Sequence, residues 1–300
     1  MKFRGRTALI TGGVSGIGFG IARAFSAAGI ELILTYRDEG YRTEAALWFR
    51  DNGHPAPRFA RLDVTDRGAW AQLADQAGPV HILVNNAGVS VFGPTDEARY
   101  ADYDRIMGVN FGGAVNGLVT FIPRMKAQGT DGHIVNVASM AAYLSGPQAG
   151  IYTASKFALR GLTESLRYNL APYRIGVSLM CPGLTKTRAW DSALKRPAAF
   201  AESGFAPPDP AELESFGAAF DAGMDPLEVG EKTLAGMIEN RAVIFTHPEF
   251  ADDFAEIYRT SIAALPQESV PEGRLQIEML RRAANRAAAA GKRISLGDLT

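Results

Sequence analysis

Short aliphatic runs alternate along this chain with longer segments of helical periodicity, and no other feature constrains the fold as strongly. The runs predict seven β-strands, at residues 7–10, 31–35, 58–62, 82–84, 133–137, 175–180 and 242–245. Between them the periodicity predicts helices at residues 18–28, 43–52, 67–76, 103–127, 152–171 and 226–239. Strands that alternate with helices pair in parallel. The chain therefore predicts an α/β fold built on one doubly wound, seven-stranded parallel sheet.

Two parts of the chain fall outside this alternation. Residues 188–225 form a long insertion rich in proline, alanine and phenylalanine, and an insertion of this length within a compact fold commonly covers a binding site. After the last strand, residues 249–264 and 274–290 predict two more helices. We expect one domain over residues 1–250, which includes the insertion, and a helical extension and tail over residues 251–300.

The composition excludes several classes of function. Lysine and arginine number 31 and aspartate and glutamate 32, so the net charge of −1 favours neither nucleic acid nor an anionic membrane as a partner. No apolar run approaches the ~20 residues that span a bilayer, and we expect no secretory signal. The single cysteine, Cys181, excludes an intrachain disulfide, and the four histidines lack metal-ligand spacing. We expect a cytoplasmic protein that binds a small molecule and no metal.

The first predicted strand ends at a glycine-rich turn that leads directly into the first helix. The turn reads Thr11-Gly12-Gly13-Val14-Ser15-Gly16-Ile17-Gly18. Glycines at such a turn let the backbone approach a pyrophosphate, whose charge is met by N–H groups at the helix N-terminus. The spacing differs from the general dinucleotide fingerprint. The turn favours a nucleotide site, and a tight structural turn stays open as the alternative.

Of nine tyrosines, only Tyr152 has a lysine four residues later, Lys156, and both lie in a predicted helix. Side chains at i and i+4 share one helix face, so the ammonium group can act on the phenol. Ser139 precedes the tyrosine by thirteen residues, just beyond a predicted strand, and Asn110 lies within an earlier predicted helix. If only the tyrosine and the lysine are considered, they could equally be a pair on the protein surface without a function.

These segments together resemble the short-chain dehydrogenases/reductases, in family order and over residues 6–245. The glycine turn is similar to the family's T-G-x-x-x-G-x-G, residues 85–88 to its N-N-A-G and residues 182–187 to its P-G-x-x-x-T. Asp63 ends the third strand, where the family has an aspartate that faces the adenine. The four polar residues resemble the family's catalytic tetrad. The resemblance implies a Rossmann-like fold and an NAD(P)(H)-dependent oxidoreductase that interconverts a secondary alcohol and a ketone.

The resemblance also implies a role for each of the four polar residues. Tyr152 would act as the general acid or base, and Lys156 would lower the pKa of its phenol and hold the nicotinamide ribose. Ser139 would hydrogen-bond the reacting oxygen, and Asn110 would position a proton-relay water. The residues implied in cofactor binding are Thr11, Gly12, Val14, Ser15, Gly16, Ile17, Gly18, Tyr36, Arg37, Asp63, Val64, Asn86, Ala87, Gly88, Tyr152, Lys156, Pro182, Gly183, Thr185 and Thr187.

The end of the second predicted strand bears on the choice of cofactor. In a Rossmann unit an acidic residue there binds the adenosine ribose and repels a 2′-phosphate. Tyr36 occupies that place here, and the next residue, Arg37, resembles the arginine that NADP-preferring relatives place against the phosphate. We therefore predict that NADP(H) is preferred, with NAD(H) as the alternative cofactor. Two other readings stay open: Asp38 reaches the ribose, or Arg37 is a solvated loop cation.

Aromatic side chains in the insertion and just after residues 85–88 bear on the substrate, and they are Phe92, Trp190, Phe200, Phe205, Phe216 and Phe220. Collectively they predict a bulky apolar or aromatic ketone or secondary alcohol. For any one of them, packing of the insertion onto the domain is the alternative. The chain length, the stretches 109–113 and 121–125, and His247-Pro248-Glu249 also resemble the subgroup that includes bacterial aryl-ether Cα-dehydrogenases.

Two other classes of function stay open at this point. One is a relative that binds a dinucleotide as a sensor or scaffold, which would be expected to lack one of the four polar residues. The other is a Rossmann-fold epimerase or dehydratase, which shares Tyr-x-x-x-Lys but usually carries G-x-x-G-x-x-G, unlike Gly12, Gly16 and Gly18. Relatives commonly form homodimers or homotetramers through helices that correspond to 103–127 and 152–171, so we expect a homo-oligomer.

Overall fold

The seven aliphatic runs become the strands of one sheet in the computed structural model, which describes residues 3–207 and 209–299. The strands within these residues are β1 (Thr7–Ile10), β2 (Glu31–Tyr36), β3 (Arg58–Arg61), β4 (Ile82–Asn85), β5 (Gly132–Val137), β6 (Ile175–Cys181) and β7 (Val243–Phe245). They lie in the order β3-β2-β1-β4-β5-β6-β7, and every neighbouring pair is parallel. The predicted doubly wound sheet is confirmed, and its order reverses beside β1, where a ligand crevice is expected.

Helices connect the strands and cover both faces of the sheet. They are α1 (Gly16–Ala27), α2 (Glu39–Asp51), α3 (Arg67–Ala77), α4 (Tyr100–Met107), α5 (Gly113–Gln128), α6 (Gly150–Leu170), α7 (Pro210–Asp221), α8 (Pro226–Ile238), α9 (Ala251–Ala263) and α10 (Glu272–Ala289). The single helix predicted at 103–127 is wrong in one respect, because Gly108–Gly112 forms a π-helical turn between α4 and α5. The insertion contains a helix, α7, that the periodicity did not predict.

The sheet is buried because helices pack on both of its faces. β1 and β4 are buried along their whole length, which is why they appear in the sequence as largely aliphatic runs. Along β1, Ile10 packs into the core cluster with α1 and α8, and Leu9 into the cluster with α3 and α5. α1 and α8 approach so closely that a Cβ on Gly20 would overlap the backbone of Pro226. This packing fixes the direction of α1 at the crevice.

The stretch Tyr100–Gln128, which covers α4, the π-helical turn and α5, could cross a membrane by its length and apolar composition alone. Ile106, Leu118 and Phe121 of this stretch are nevertheless buried within the protein. Ile106 packs beside the cleft, and the other two pack against the sheet. The stretch is therefore a core helix that crosses over between two parallel strands.

Two helices follow the last strand, as the sequence predicts. α10 packs against α6 and buries Ala284 and Ala288. The guanidinium of Arg293 donates a hydrogen bond to the Tyr173 hydroxyl at 2.9 Å, beyond the end of α6. None of the described residues of α9 is buried. α9 contributes Phe254, whose ring packs 5.0 Å from that of Tyr143, centre to centre, so both helices attach the extension to the rest of the chain.

Candidate active site

The carboxyl ends of the strands open into one large cleft. Its volume is about 2080 Å³, well above the ~300–1,000 Å³ of a typical small-molecule pocket, so it can hold a dinucleotide and a second ligand. The predicted site residues that line it are Gly12, Val14, Ser15, Gly16, Ile17, Tyr36, Arg37, Val64, Asn86, Ala87, Gly88, Ser139, Tyr152, Lys156, Pro182, Gly183, Thr185 and Thr187. Thr11, Gly18, Asp63 and Asn110 lie outside this lining.

The glycine turn forms part of the cleft floor at the N-terminus of α1. Gly12 and Gly16 have φ angles of 61° and 50°, in the left-handed region that favours glycine. A Cβ on Gly18 would overlap the carbonyl of Gly12, so the turn has room for backbone only. The side chain of the N-cap residue, Ser15, makes no capping hydrogen bond and leaves the first N–H groups of α1 to face the cleft. This cradle fits the pyrophosphate of a dinucleotide.

Hydrogen bonds hold the glycine turn against the end of β4. The Thr11 hydroxyl accepts hydrogen bonds from the backbone N–H groups of Asn86, at 2.8 Å, and Ala87, at 2.9 Å. The side-chain amide of Asn86 donates to the Thr11 carbonyl at 2.8 Å. Thr11 therefore positions two segments of the cleft floor relative to each other, although it does not line the cleft itself.

Tyr152 lies in the cleft on α6, and its phenol faces the hydroxyls of Ser139 and Ser90, which both favour the phenolate. Burial raises the pKa of Tyr152, and the two serine hydroxyls oppose that shift. Lys156, one helical turn later, is only 5% exposed. Its Nζ donates to the Val137 carbonyl at 3.2 Å and lies 5.5 Å from the centre of the Tyr152 ring. Burial lowers the pKa of Lys156 to about 8.

The net shift of the phenol pKa is upward in the protein without a bound cofactor, opposite to the lowering that the resemblance implies. Burial is the largest influence on Tyr152, and it favours the neutral phenol over the phenolate. The groups of the protein therefore keep Tyr152 protonated at neutral pH, which is the form that can donate a proton. Ser90 was not predicted as a site residue. Its only signal in the sequence is that it is a single polar residue between Val89 and Val91.

Asn110 lies in the π-helical turn between α4 and α5, and its side-chain amide is buried. Its Oδ1 accepts a hydrogen bond from the N–H of Val89 at 2.8 Å, and its Nδ2 donates to the Val89 carbonyl at 3.1 Å. Nδ2 also lies 3.2 Å from the Ser155 hydroxyl oxygen. The side chain thus ties the turn to the segment that carries Ser90, and the role of Asn110 in positioning a proton-relay water stays a prediction.

Comparison with known proteins decides the family. A family model for the short-chain dehydrogenases matches residues 6–197. The chain belongs to the short-chain dehydrogenases. Members of this family are NAD(P)(H)-dependent oxidoreductases, and this protein is an oxidoreductase of the alcohol-dehydrogenase type.

Individual proteins that are similar to this short-chain dehydrogenase support the family that the sequence motifs indicate. The C alpha-dehydrogenase of Sphingobium sp. strain SYK-6 is 35% identical over 285 residues, which cover 93% of each chain. A solved structure from Novosphingobium aromaticivorans is 34% identical, with a TM-score of 0.82 over 97% of this chain and 99% of that one. A short-chain dehydrogenase/reductase from Burkholderia phymatum, solved with NAD, is 33% identical, with a TM-score of 0.81 over 90% and 99%. The predicted family and its Cα-dehydrogenase subgroup are confirmed.

The insertion of this short-chain dehydrogenase supplies an aromatic wall to the cleft. Trp190 and Phe220 line the cleft. The Phe216 ring lies 5.7 Å from the Phe92 ring, centre to centre, and Phe92 lies 5.8 Å from the Tyr152 ring. Aromatic rings therefore extend from the insertion to the phenol.

Two other aromatic residues of the insertion do not line the cleft; they belong to the insertion's own packing and its packing onto the domain. Phe205 packs against Val91 and Ile106 in a core cluster beside the cleft. A Cβ on Gly93 would overlap the Phe205 ring, so the insertion and the segment after β4 fit closely there. Phe200 lies outside the cleft lining, and its carbonyl accepts a hydrogen bond from Arg196 at 2.9 Å.

A buried carboxylate fastens the insertion to α4. Asp102 is 0% exposed and accepts hydrogen bonds from the Arg196 guanidinium at 2.7 Å, the Ser203 hydroxyl at 2.7 Å and the Gly204 N–H at 2.9 Å. Burial opposes ionisation of Asp102, but these hydrogen bonds and one from the Arg99 N–H lower its pKa to about 2. The charged carboxylate is therefore a strong acceptor that holds the insertion in place.

At the far end of the cleft, the two charged residues after β2 both interact with other groups of the protein. The Arg37 guanidinium lies 3.6 Å from the Asp63 carboxylate, and both side chains are about half exposed. The Asp38 carboxylate accepts hydrogen bonds from the N–H groups of Gly40, at 2.8 Å, and Tyr41, at 3.3 Å. Asp38 is therefore the N-cap of α2, and this cap is why α2 begins at residue 39 and not at residue 43 as predicted.

Proposed function

We propose that this short-chain dehydrogenase prefers NADP(H) and interconverts a bulky aromatic ketone and the corresponding secondary alcohol. One observation carries the proposal: the phenol of Tyr152 lies beside an aromatic wall, with the Phe92 ring 5.8 Å from the Tyr152 ring, centre to centre. A proton donor and an apolar wall at this separation would contact neighbouring parts of one substrate. A ketone with an aryl group close to its carbonyl has that arrangement.

The residues of the cleft would divide the proton chemistry among them. Bound NAD(P)(H) would supply or accept the hydride, with its pyrophosphate on the glycine turn. In reduction, Tyr152 donates its phenolic proton to the carbonyl oxygen as that oxygen gains charge. Ser139 donates a hydrogen bond to the same oxygen, and the ammonium group of Lys156 stabilises the phenolate that remains. In oxidation, the phenolate of Tyr152 takes the proton of the hydroxyl group.

The preference for NADP(H) is supported by the residues at the end of β2. Tyr36 carries no carboxylate that would repel a 2′-phosphate, and Asp38 is engaged as the cap of α2. Arg37 lines the cleft, and its pairing with Asp63 at 3.6 Å is an exposed ion pair of small energy, ~0–1 kcal/mol. A phosphate dianion can therefore displace Asp63 from Arg37 at little cost.

The proposal is tested by following the absorbance of the reduced nicotinamide with the purified protein and a panel of ketones. We expect kcat/KM for aryl alkyl ketones to exceed that for small aliphatic ketones by about tenfold or more, because burial of an aromatic ring contributes ~1.5–3 kcal/mol. NADPH should give a higher kcat/KM than NADH. Small polyols that outperform aryl ketones and alcohols would contradict the substrate class, and no turnover with any member of the panel would contradict the function.

A homo-oligomer stays a prediction, and the surface of two helices supports it. Val119 on α5 is 70% exposed, and Phe157 on α6 is 43% exposed. Exposed apolar side chains on the two helices that the family resemblance implies in association are consistent with burial between copies of this chain. Light scattering coupled to gel filtration should report a mass of two or four chains, and a monomer at micromolar concentration would contradict the prediction.

A further inference from the structure

Arg105, on α4, places a buried guanidinium in the wall of the cleft. The residue is 3% exposed, and it is part of the cleft lining. Its Nη2 donates hydrogen bonds to two carbonyls of the insertion, those of Ser192 at 2.6 Å and Lys195 at 3.3 Å. Its Nη1 is buried and has no hydrogen-bond partner among residues 3–207 and 209–299. Because an unpaired buried donor is costly, Nη1 indicates an acceptor that is not part of the chain.

Arg105 forms no ion pair with a carboxylate of residues 3–207 and 209–299. Asp102, on the same helix, favours the charged guanidinium but is itself bound by Arg196 at 2.7 Å and by two donors of the insertion. Burial and the positive charges of Arg196 and Arg37 lower the pKa of Arg105 to about 10, so the guanidinium is still charged at neutral pH. A buried cation among other cations favours the binding of an anion.

Arg105 lies at the end of the cleft where β2 terminates. Lys195, whose carbonyl it binds, reaches the Tyr41 hydroxyl on α2 with its Nζ at 3.2 Å. Arg37, the first cation after β2, is close enough to affect the protonation of Arg105. In a doubly wound fold the adenosine ribose lies at the end of β2. The contacts of Arg105 therefore place the unpaired Nη1 on the adenosine side of the cleft.

We propose that Arg105 is a second anion-binding residue of the cleft and that, together with Arg37, it binds the 2′-phosphate of NADP(H). This inference rests on the proposed preference for NADP(H). A guanidinium is a planar fork, so Nη1 can bind a phosphate oxygen while Nη2 keeps its bonds to Ser192 and Lys195. The bound phosphate would therefore also stabilise the insertion over the cleft, and cofactor choice would be linked to the position of the aromatic wall.

Calorimetric titration with adenosine 2′,5′-bisphosphate and with 5′-AMP tests this directly, because the two probes differ only in the 2′-phosphate. We expect Arg105→Gln to lower the affinity for the bisphosphate by about 10- to 100-fold, and that for 5′-AMP by less than about twofold. Arg105→Lys keeps the charge without the fork and should lie between. Ser203→Ala is the matched control, because it removes one bond between the insertion and Asp102 but leaves Arg105 intact.

Trypsin gives a second readout, since Arg188 and Lys195 are cleavage sites within the insertion, whereas Arg196 precedes a proline and is not cleaved. The bisphosphate should slow cleavage at these sites several-fold in the wild type and in Ser203→Ala, and 5′-AMP should do so less. In Arg105→Gln the bisphosphate should give no more protection than 5′-AMP. This measurement needs no turnover and reports the insertion itself.

The outcomes separate this inference from the proposed function. Equal losses of affinity for the two probes in Arg105→Gln, or no loss for either, would show that Arg105 only fastens the insertion, while the wild-type affinities would still support NADP(H). A wild type that binds both probes equally would overturn the NADP(H) preference and this inference with it. If Arg105→Gln fails to fold, judged by its thermal melt, Arg105→Lys carries the same comparison.

Discussion

The floor and the wall of the cleft are held in different ways. The floor is backbone and strand ends: Gly12 and Gly16 adopt left-handed conformations, and Lys156 is bound by the carbonyl of Val137 at the end of β5. The insertion at residues 188–225, which forms the wall together with Phe92, is held by hydrogen bonds to two side chains of α4, Asp102 and Arg105. On the proposed function, the reaction chemistry would belong to the fold, whereas the choice of substrate would reside in a segment that can vary without altering the sheet.

The largest effect that would test this comparison is expected in the floor. Tyr152→Phe removes the proton donor and keeps the ring, so we expect kcat to fall by about 10²- to 10⁴-fold with nucleotide affinity within a few fold. Tyr143→Phe is the matched control, because Tyr143 also has a pKa raised by burial, to about 12, but does not line the cleft. Steady-state kinetics and nucleotide titration measure both quantities. A Tyr152→Phe variant that keeps more than about a tenth of the wild-type kcat would remove the basis for the acid–base assignment.

The next largest effect is expected at Arg37, at the adenosine end of the cleft. Arg37→Ala should lower kcat/KM with NADP(H) by ~1.5–3 kcal/mol, or about 10- to 100-fold, and barely affect NAD(H). The reason is that only the 2′-phosphate forms a charged contact with this residue. Kinetics with both cofactors measure the difference. Equal losses for the two cofactors, or a wild type that prefers NAD(H), would show that Arg37 does not recognise the phosphate.

The pH dependence of ketone reduction tests the floor of the cleft, and we expect kcat/KM to change by about tenfold per pH unit above the pKa of Lys156. Burial lowers the pKa of Lys156 to about 8, so its ammonium charge is present below that pH and is lost above it. Because that charge stabilises the phenolate of Tyr152, we expect kcat/KM for ketone reduction to fall as the pH rises through about 8. Lys156→Arg, which stays charged, should lose this inflection. A wild-type profile that is flat between pH 6 and 10 would be the contrary result.

The smallest effect is expected in the aromatic wall, and it should depend on the substrate. Phe92→Ala removes a ring–ring contact of ~0.5–1.5 kcal/mol, so we expect kcat/KM for aryl alkyl ketones to fall by about two- to tenfold. Small aliphatic ketones serve as the internal control, since they would not reach the ring. The same fractional loss for both classes of ketone would mean that Phe92 supports Tyr152 and does not select the substrate.

Much of the floor could be predicted from the sequence because its features are local. The run at residues 7–10 is the strand β1 itself, and the run at 133–137 omits only Gly132 of β5. Both are buried on two faces, which leaves an aliphatic run as a clear signal. The glycine turn is also a local feature, because its left-handed conformations require glycine at particular places.

The contacts of the wall could not be predicted in the same way. The bonds of Arg105 to Ser192 and of Asp102 to Ser203 join residues that are far apart in the sequence, and single polar residues carry no periodic signal. The position of Ser90 against Tyr152 depends likewise on the pairing of segments. The helix α7 is a different case, since Asp209 followed by Pro210 is an N-cap with a first-turn proline, a local signal that was present and not used.

A crystal structure of the protein with NADP⁺ and an aryl alkyl ketone bound is the most direct test of the central claim, that floor chemistry and wall specificity meet at one substrate. We expect the ketone oxygen to lie within about 2.6–3.2 Å of the hydroxyl oxygens of both Tyr152 and Ser139, with the aryl ring against Phe92. A ketone oxygen bound away from Tyr152, or an aryl ring directed to solvent, would contradict it.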